Sequence, residues 1–244
     1  MTETHYRRFY CPHLRPGLVE LDSAEAHHAA QVLRLTPGQQ VELFDGKGNV
    51  AAGPLEQVTK RRVSVQVEQV VSVDPQRPEI TLAFAVPKGK RLDWLLEKAT
   101  ELGAARLQPI EFARSVAAPA DPGSGKWDRW MGHCIAAAKQ SGLNHLPRIE
   151  PGINLDGFLA SAESFDLSLL GDASAPPGSL PAQLQTAQPA CLAVLVGPEG
   201  GLAEQEQEAA KLAGFRPVCI GRTILRVETA AVALLAAVRA WAGA

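Results

Sequence analysis

Two segments of the sequence place glycines or arginines directly after an apolar run, and such positions often bind ligands in α/β proteins. Residues 197–201 read Gly-Pro-Glu-Gly-Gly and follow an apolar run that ends at Val196. Ligands of open α/β sheets bind at the carboxyl ends of strands, and glycine lets the backbone approach a ligand closely. A tight turn between a strand and a helix would use the same residues, so both interpretations stay open for this segment alone. It is neither a GxGxxG fingerprint nor a GxxxxGK[ST] loop, which disfavours a nicotinamide enzyme.

The second segment, residues 220–230, carries two arginines between a predicted strand and a predicted helix. Arg222 and Arg226 at this edge of a sheet favour an anion or a developing negative charge. Glu228 and Thr229 are common in the first turn of a helix, so helix capping also accounts for them.

Composition excludes several other classes of protein. The net charge is −2, so any nucleic-acid site must be a local patch. The apolar stretch at 230–242 is interrupted by Arg239 and is shorter than the roughly 18 residues of a membrane span. Arg7 and Arg8 are not followed by the apolar region of an export signal. We therefore expect a cytoplasmic protein without membrane association.

The cysteines are far apart and lack companion histidines at metal-binding spacing. This distribution predicts small buried thiols in a reducing compartment and no metal site. The four positions are Cys11, Cys134, Cys191 and Cys219.

The chain divides at residues 74–78, where two prolines and polar neighbours predict a linker. Before the linker, apolar residues alternate with polar ones around 41–43 and 63–67, as in half-buried antiparallel strands. One helix is predicted there, from the N-cap Asp22 to about Leu35. A small β barrel with one helix fits this part.

After the linker, apolar strands alternate with amphipathic helices, which predicts an α/β fold with a parallel sheet. The helix at 126–141 carries a tryptophan stripe that we interpret as core packing rather than base stacking. Residues 173–189 are predicted to form a surface loop with at most a short helix. The predicted strands are 80–86, 106–112, 165–170, 191–196 and 217–220, and the predicted helices are 92–102, 126–141, 155–162, 203–213 and 228–241.

Five segments in order resemble the ribosomal RNA small subunit methyltransferase E family, the 16S uridine-N3 enzymes of the SPOUT (trefoil-knot) superfamily. The resemblance covers nearly the whole chain. The segments are RRFY at 7–10, HHAAQVLRLTPGQQVELFDGKG at 27–48, KGKRLDWLLEKATELGA at 88–104, QSGLNHLPRI at 140–149, and GPEGG at 197–201 followed by IGRTILRVETA at 220–230.

The resemblance implies a PUA-like β-barrel domain at 1–73, the linker at 74–78 and a SPOUT domain with a deep trefoil knot at 79–244. It implies S-adenosylmethionine as cofactor, 16S rRNA or the small ribosomal subunit as partner, and a homodimer. Arg226 is the expected catalytic residue, and Glu199 is a second candidate, either as a base or to fix its loop. The expected cofactor-binding residues are Leu170, Gly171, Val196, Gly197, Pro198, Gly200, Gly201, Ile220, Gly221, Leu225 and Thr229, and the expected RNA-binding residues are Arg7, Arg8, Arg34, Arg61, Arg62, Lys88, Arg91 and Gln140.

Two positions depart from the family pattern. Leu143 stands where the family usually has arginine, and Asp172 follows Gly171 where Glu-Ala is frequent. The first concerns an RNA contact and the second a cofactor contact. A non-catalytic RNA-binding or ribosome-assembly protein on the same fold is the alternative function, and the intact glycine segment and Arg226 argue against it.

Overall fold

The computed structural model describes residues 6–117, 125–185 and 188–243 of the chain. These residues form two compact units. The boundary falls between Pro75 and Gln76, inside the predicted linker, and residues Ala138–Leu146 cluster with the first unit. Among the described residues, no helix has the length and apolar character needed to cross a membrane.

The first unit is a mostly antiparallel sheet with one helix, as predicted. The elements are β1 (Arg7–Tyr10), β2 (Gly17–Glu20), α1 (Ser23–His27) with a π-helical continuation (His28–Val32), β3 (Gln40–Phe44), β4 (Asn49–Val58), β5 (Val63–Val67) and β6 (Val71–Ser72). The sheet has the order β1-β3-β4-β5-β2 with β6 beside β4, and among these described strands only the β1–β3 pair is parallel. The side chain of Asp22 accepts the backbone N–H of Glu25 at 2.8 Å, which confirms the predicted helix start.

The second unit confirms the predicted parallel sheet. The elements are β7 (Glu79–Ala85), α2 (Lys90–Glu101), β8 (Arg106–Glu111), α3 (Gly125–Ser141), β9 (Arg148–Ile149), β10 (Ile153–Asn154), α4 (Leu155–Leu159), β11 (Leu167–Gly171), α5 (Ser179–Gln185), β12 (Cys191–Val196), α6 (Glu204–Leu212), β13 (Arg216–Val218) and α7 (Val227–Ala242). The strand order is β10-β8-β7-β12-β11-β13 with β9 beside β8, and every pair of described strands is parallel.

Most predicted elements of this unit occur within two residues of their predicted bounds. The helix predicted at 155–162 is shorter, because α4 ends at Leu159 and a 3-10 turn follows at Ala162–Ser164. The strand predicted to reach 220 ends at Val218. The two-residue strands β9 and β10 were not predicted, since such short pairings leave no periodic pattern in the sequence.

Core packing confirms the interpretation of the apolar runs, with one correction among the cysteines. Trp130 and Cys134 of α3 are buried, as a packing stripe requires. Burial raises the pKa of the Cys134 thiol to about 11. The prediction of burial was wrong for Cys191, which is only partly buried because it begins β12 at the end of the strand. Among the described residues, no cluster of His, Cys, Asp or Glu could hold a metal ion.

A half-buried arginine ties α7 to the turn that follows α2. Arg239 donates from Nε to the Leu102 carbonyl at 2.9 Å and from Nη1 to the Pro78 carbonyl at 2.9 Å. Its Nη2 donates to the Gly103 carbonyl at 2.5 Å. Burial lowers the pKa of the Arg239 guanidinium. The charge that interrupts the apolar helix therefore satisfies three backbone carbonyls at once.

We expect Arg239→Ala to lower the free energy of unfolding by about 2–4 kcal/mol, because three carbonyls lose a charged donor. Urea unfolding followed by circular dichroism measures the change. Arg216→Ala is the matched control: this exposed arginine bonds a side chain, Gln183, and its loss should cost no more than about 0.5 kcal/mol. Equal stability of the two variants would contradict this assignment.

Candidate active site

A cavity of about 430 Å³ opens at the carboxyl ends of three neighbouring strands, β11, β12 and β13. The parallel register aligns Gly171 with Val196 on one side and with Val218 on the other. The three loops that follow these strands therefore leave the sheet at the same level and together enclose the cavity. We call them the aspartate loop (residues 172–178), the glycine loop (residues 197–203) and the arginine loop (residues 219–226).

Nearly all residues expected to hold a cofactor line this cavity. Thr229 does not; it is exposed on the first turn of α7. Glu199 lines the cavity as well. The lining residues are Leu170, Gly171, Asp172, Ala173, Ser174, Val196, Gly197, Pro198, Glu199, Gly200, Gly201, Leu202, Gln207, Val218, Cys219, Ile220, Gly221, Thr223, Ile224, Leu225, Val227, Ala230 and Leu234.

Two arginines from neighbouring elements fix the glycine loop. Nη1 of Arg91 lies 3.0 Å from Oε1 of Glu199, and Nη1 of Arg114 donates to the Gly200 carbonyl at 2.9 Å. Gly201 has a φ of +70°, and its N–H donates to the Pro198 carbonyl at 2.9 Å. The chain reverses here in a conformation that side chains other than glycine rarely adopt. Sequence analysis missed Arg114, since nothing near it in the chain points to the glycine loop.

At Gly197, the side chain of Leu202 rather than the backbone angle limits the space for a larger residue. A Cβ atom at this position would lie 2.1 Å from Cδ1 of Leu202. The glycine segment is therefore both a structural turn and a wall of the cavity.

The aspartate loop is held by neutral donors. Oδ1 of Asp172 accepts the backbone N–H of Ser174 at 2.8 Å and its hydroxyl at 2.7 Å. Oδ2 accepts Nε2 of Gln207 at 2.7 Å, which joins this loop to α6. The backbone N–H of Asp172 donates to the Val218 carbonyl at 2.9 Å. Gln207 was not expected at the site, because on α6 its position resembles that of any polar surface residue.

The arginine loop leads into α7 at the edge of the cavity. Arg226 is the N-cap of α7, and its side chain is exposed. In the described parts of the chain, neither a hydrogen bond nor an ion pair engages its guanidinium. Arg226 and Arg222 are not among the lining residues, but Leu225 and Val227 on either side of Arg226 are. Arg226 therefore lies at the rim of the cavity.

The residues expected to bind RNA fall into three groups. Arg8 is engaged inside the first unit: its Nε lies 2.6 Å from Glu42, its Nη1 donates to the Ala138 carbonyl at 3.1 Å, and its guanidinium carbon lies 4.6 Å from the centre of the Phe44 ring. Arg91 is paired with Glu199. The others are exposed: Arg7, Arg34, Arg61, Arg62, Lys88 and Gln140.

Leu143, which replaces the family's usual arginine, is partly buried within the first unit. Its carbonyl accepts from Nη1 of Arg8 at 3.4 Å, and the side chain of the next residue, Asn144, accepts from Nη2 at 2.5 Å. An RNA contact by Arg8 would have to break these bonds. The geometry therefore gives Arg8 a structural role in joining this segment to β1.

The comparison with protein families matches both parts of the chain. A family model described as an RNA methyltransferase domain matches residues 74–239, and one described as an RNA methyltransferase PUA domain matches residues 21–68.

Individual relatives agree with the family models. The chain is 34% identical to ribosomal RNA small subunit methyltransferase E of Mycobacterium bovis, covering 89% of this chain and 84% of the relative. It is 33% identical to the Synechocystis protein of the same name, with 91% and 73% coverage.

Solved structures extend the likeness to the fold. A methyltransferase from Legionella pneumophila, in complex with the cofactor SAM, superposes with a TM-score of 0.84 at 30% identity, covering 97% of this chain and 98% of that one. The Neisseria gonorrhoeae ribosomal RNA small subunit methyltransferase E, bound to S-adenosylmethionine, gives 0.83 at 31% identity with the same coverage. This chain belongs to the ribosomal RNA small subunit methyltransferase E family of RNA methyltransferases.

Proposed function

We propose that this protein transfers the methyl group of S-adenosylmethionine to N3 of a specific uridine in 16S rRNA. The observation that carries the proposal is the cavity at the ends of β11, β12 and β13. Its volume of about 430 Å³ lies within the range of small-molecule sites. The relatives named for this activity cover nearly the whole chain, and two of the similar structures contain the cofactor.

The lining of the cavity fits that cofactor. Leu170 and Val196 at the ends of β11 and β12, with Ile220 and Leu225 of the arginine loop, offer apolar surface that suits the faces of an adenine ring. The glycine and arginine loops also belong to the lining, and their backbone amides and carbonyls are the kind of group that can bond the polar edge of such a ring. The described lining contains carboxylates but no Lys, Arg or His side chain, and this charge suits a cationic ligand.

The cofactor, when bound, supplies an electrophilic methyl group. The remaining task falls to the protein, because N3 of uracil carries a weakly acidic proton that must leave. Negative charge then spreads onto the ring oxygens, and a positioned cation stabilises it. Arg226 fits this role, since it is a cation at the rim of the cavity without a partner among the described residues.

Glu199 fits a structural role better than that of a base. Its carboxylate is paired with Arg91 at 3.0 Å, and the pair joins the glycine loop to the start of α2. This carboxylate therefore already has a partner within the protein. We therefore infer that Glu199 fixes the loop, the second of the two roles expected for it.

The exposed cations of the first unit are the proposed RNA contacts. Arg7, Arg34 and Arg61 are exposed, and Arg62 is exposed while paired with Glu20. Lys88 of the second unit and Gln140 are also exposed. Such phosphate contacts are compatible with a net charge near zero, since only a local patch has to be positive.

We also propose the deep knot and the homodimer that the family resemblance implies. The strand order supports the knot. β12 pairs with one side of β11, and β13, which follows β12 in the chain, pairs with the other side. The chain between β12 and β13 therefore passes back across its own sheet. A homodimer would cover the partly exposed alanines and valine along α7, such as Val232, Ala233 and Ala237.

The first prediction concerns the glycine loop. We expect Gly201→Val to weaken S-adenosylmethionine binding by at least about tenfold, because a β-branched residue is strained at a φ of +70° and would reshape the loop. Gly38→Val is the matched control: its φ is +86°, and a Cβ meets open space at both positions, but Gly38 belongs to none of the three loops and does not line the cavity. Calorimetry measures affinity, and circular dichroism checks the fold. Equal S-adenosylmethionine affinity in the two folded variants would show that Gly201 does not contribute to the cofactor site.

The second prediction tests the activity and Arg226 together. Wild-type protein should form 3-methyluridine in small ribosomal subunits that are purified from cells without this protein. Nucleoside analysis of the rRNA measures the product. Arg226→Ala should lower the single-turnover rate by about 10²–10³-fold at saturating RNA, with unchanged affinity for S-adenosylmethionine. Arg222→Ala, an exposed arginine of the same loop, should lower it by less than about tenfold.

A full rate for Arg226→Ala at saturating RNA would show that Arg226 only grips phosphate. Cofactor and RNA binding by the wild-type protein without methyl transfer would instead indicate a ribosome-assembly protein on the same fold.

The third prediction concerns assembly. Light scattering at micromolar concentration should give twice the chain mass of 26.0 kDa. Ala233→Glu, a charge on the partly exposed side of α7, should shift the mass towards one chain, because a charge buried at an interface is costly. Ala240→Glu on the exposed end of the same helix is the control. A fully active monomeric wild type would contradict the proposed dimer.

A further inference from the structure

The charged side chains that line the cavity are all acidic. In the part of the chain that the structure describes, the lining contains the carboxylates of Asp172 and Glu199 and no basic side chain. The two carboxylates lie on different loops and have different partners. The difference between those partners decides which of them carries charge that a ligand can meet.

Glu199 is neutralised by a cation of the protein. Nη1 of Arg91 lies 3.0 Å from its Oε1, and both side chains are about one third exposed. A ligand near this pair meets a dipole rather than a net charge. The negative charge of Glu199 therefore contributes little to any preference for cationic ligands.

Asp172 has no such counter-charge. Its hydrogen-bond donors are the neutral groups of Ser174 and Gln207, and no described Lys, Arg or His forms an ion pair with it. The positive charge of Lys211 also lowers the pKa of the Asp172 carboxyl, but less than the hydrogen bonds from Ser174 and Gln207 do. Burial raises the pKa of the Asp172 carboxyl, but the bonds from Ser174 and Gln207 outweigh burial and hold that pKa below its usual value. Asp172 is therefore ionised at neutral pH, with its charge uncompensated at the wall of the cavity.

We propose that Asp172 makes the cavity prefer the cationic methyl donor over the neutral thioether product. This inference rests on the proposed function. S-adenosylmethionine carries a sulfonium charge that S-adenosylhomocysteine lacks, while the rest of the two molecules is alike. A single uncompensated carboxylate is the simplest group that distinguishes them, because it attracts the extra charge and is indifferent to the lost methyl group. Loss of the methyl group then weakens the hold on the product and favours its exchange for a new donor.

The neutral variant Asp172→Asn tests the charge with little change in shape. An asparagine keeps an oxygen for the two bonds from Ser174. Its amide nitrogen can donate to Gln207 if the glutamine amide turns over, so the link to α6 can persist. Calorimetry with each ligand should show the dissociation constant of S-adenosylmethionine rising about 5–10-fold, a size typical of a partly exposed charge pair. That of S-adenosylhomocysteine should change by less than about twofold.

A second variant separates charge from hydrogen bonding. Gln207→Glu, combined with Asp172→Asn, moves the carboxylate to the other end of the same 2.7 Å bond. The double variant should recover S-adenosylmethionine affinity to within about threefold of wild type. Glu163→Gln, an exposed carboxylate of the same unit outside the cavity, controls for net charge and should bind both ligands as wild type does.

The outcomes separate this inference from the function on which it rests. A selective loss for the donor in Asp172→Asn, with recovery in the double variant, supports the assignment. An equal change for both ligands, no change at all, or a folded double variant without recovery would overturn it while leaving the proposed function intact. A wild-type protein that binds neither ligand would overturn the proposed function and this assignment together.

Discussion

The site depends on the parallel pairing of β11 with a strand on each side. Because Gly171 lies opposite Val196 in β12 and opposite Val218 in β13, three loops from distant parts of the chain leave the sheet at one level. Parallel strands cannot be joined by a short turn, so the aspartate and glycine loops continue into the crossover helices α5 and α6. The arginine loop leads into α7, the last helix of the sequence order. A shift of one residue in β11 would move the aspartate loop out of line with the other two.

Charge is divided between the interior and the rim of this site. The lining carries two carboxylates: Glu199 is paired with Arg91, and Asp172 is hydrogen-bonded to neutral donors. Arg226, by contrast, lies at the rim of the cavity. This division matches a reaction between a cationic donor and a base that becomes negative as its proton leaves. An arginine inside the cavity would oppose the donor, and a carboxylate at the rim would oppose the developing charge.

Arginines have two kinds of role in this protein, and residue type alone does not separate them. Arg239 satisfies three carbonyls, Arg8 joins β1 to the segment around Asn144, and Arg114 holds the glycine loop. A planar guanidinium with several donors suits such backbone clamps as well as it suits phosphate. Arg8 illustrates the difficulty: beside Arg7 in the sequence it suggests a basic patch, but its side chain is only 9% exposed. Alternation along a strand sends neighbouring residues to opposite faces, and only the fold reveals which face is covered.

The sequence by itself determined most of the elements and the positions of the loops that line the site. Apolar runs defined β7 and β12 nearly residue by residue, and the glycine segment after Val196 marked a wall of the cavity. These features are local, since burial on both faces of a sheet and close backbone approach each leave a pattern within a few residues. The tertiary structure decided which distant groups meet: Arg114 at Gly200, Gln207 at Asp172, and Arg8 at Asn144. It also placed Thr229 outside the cavity, although its neighbour Ala230 lines it, because consecutive residues of a helix point in directions about 100° apart. Such contacts depend on strand order and register, which join residues far apart in the chain and leave no periodic trace in the sequence.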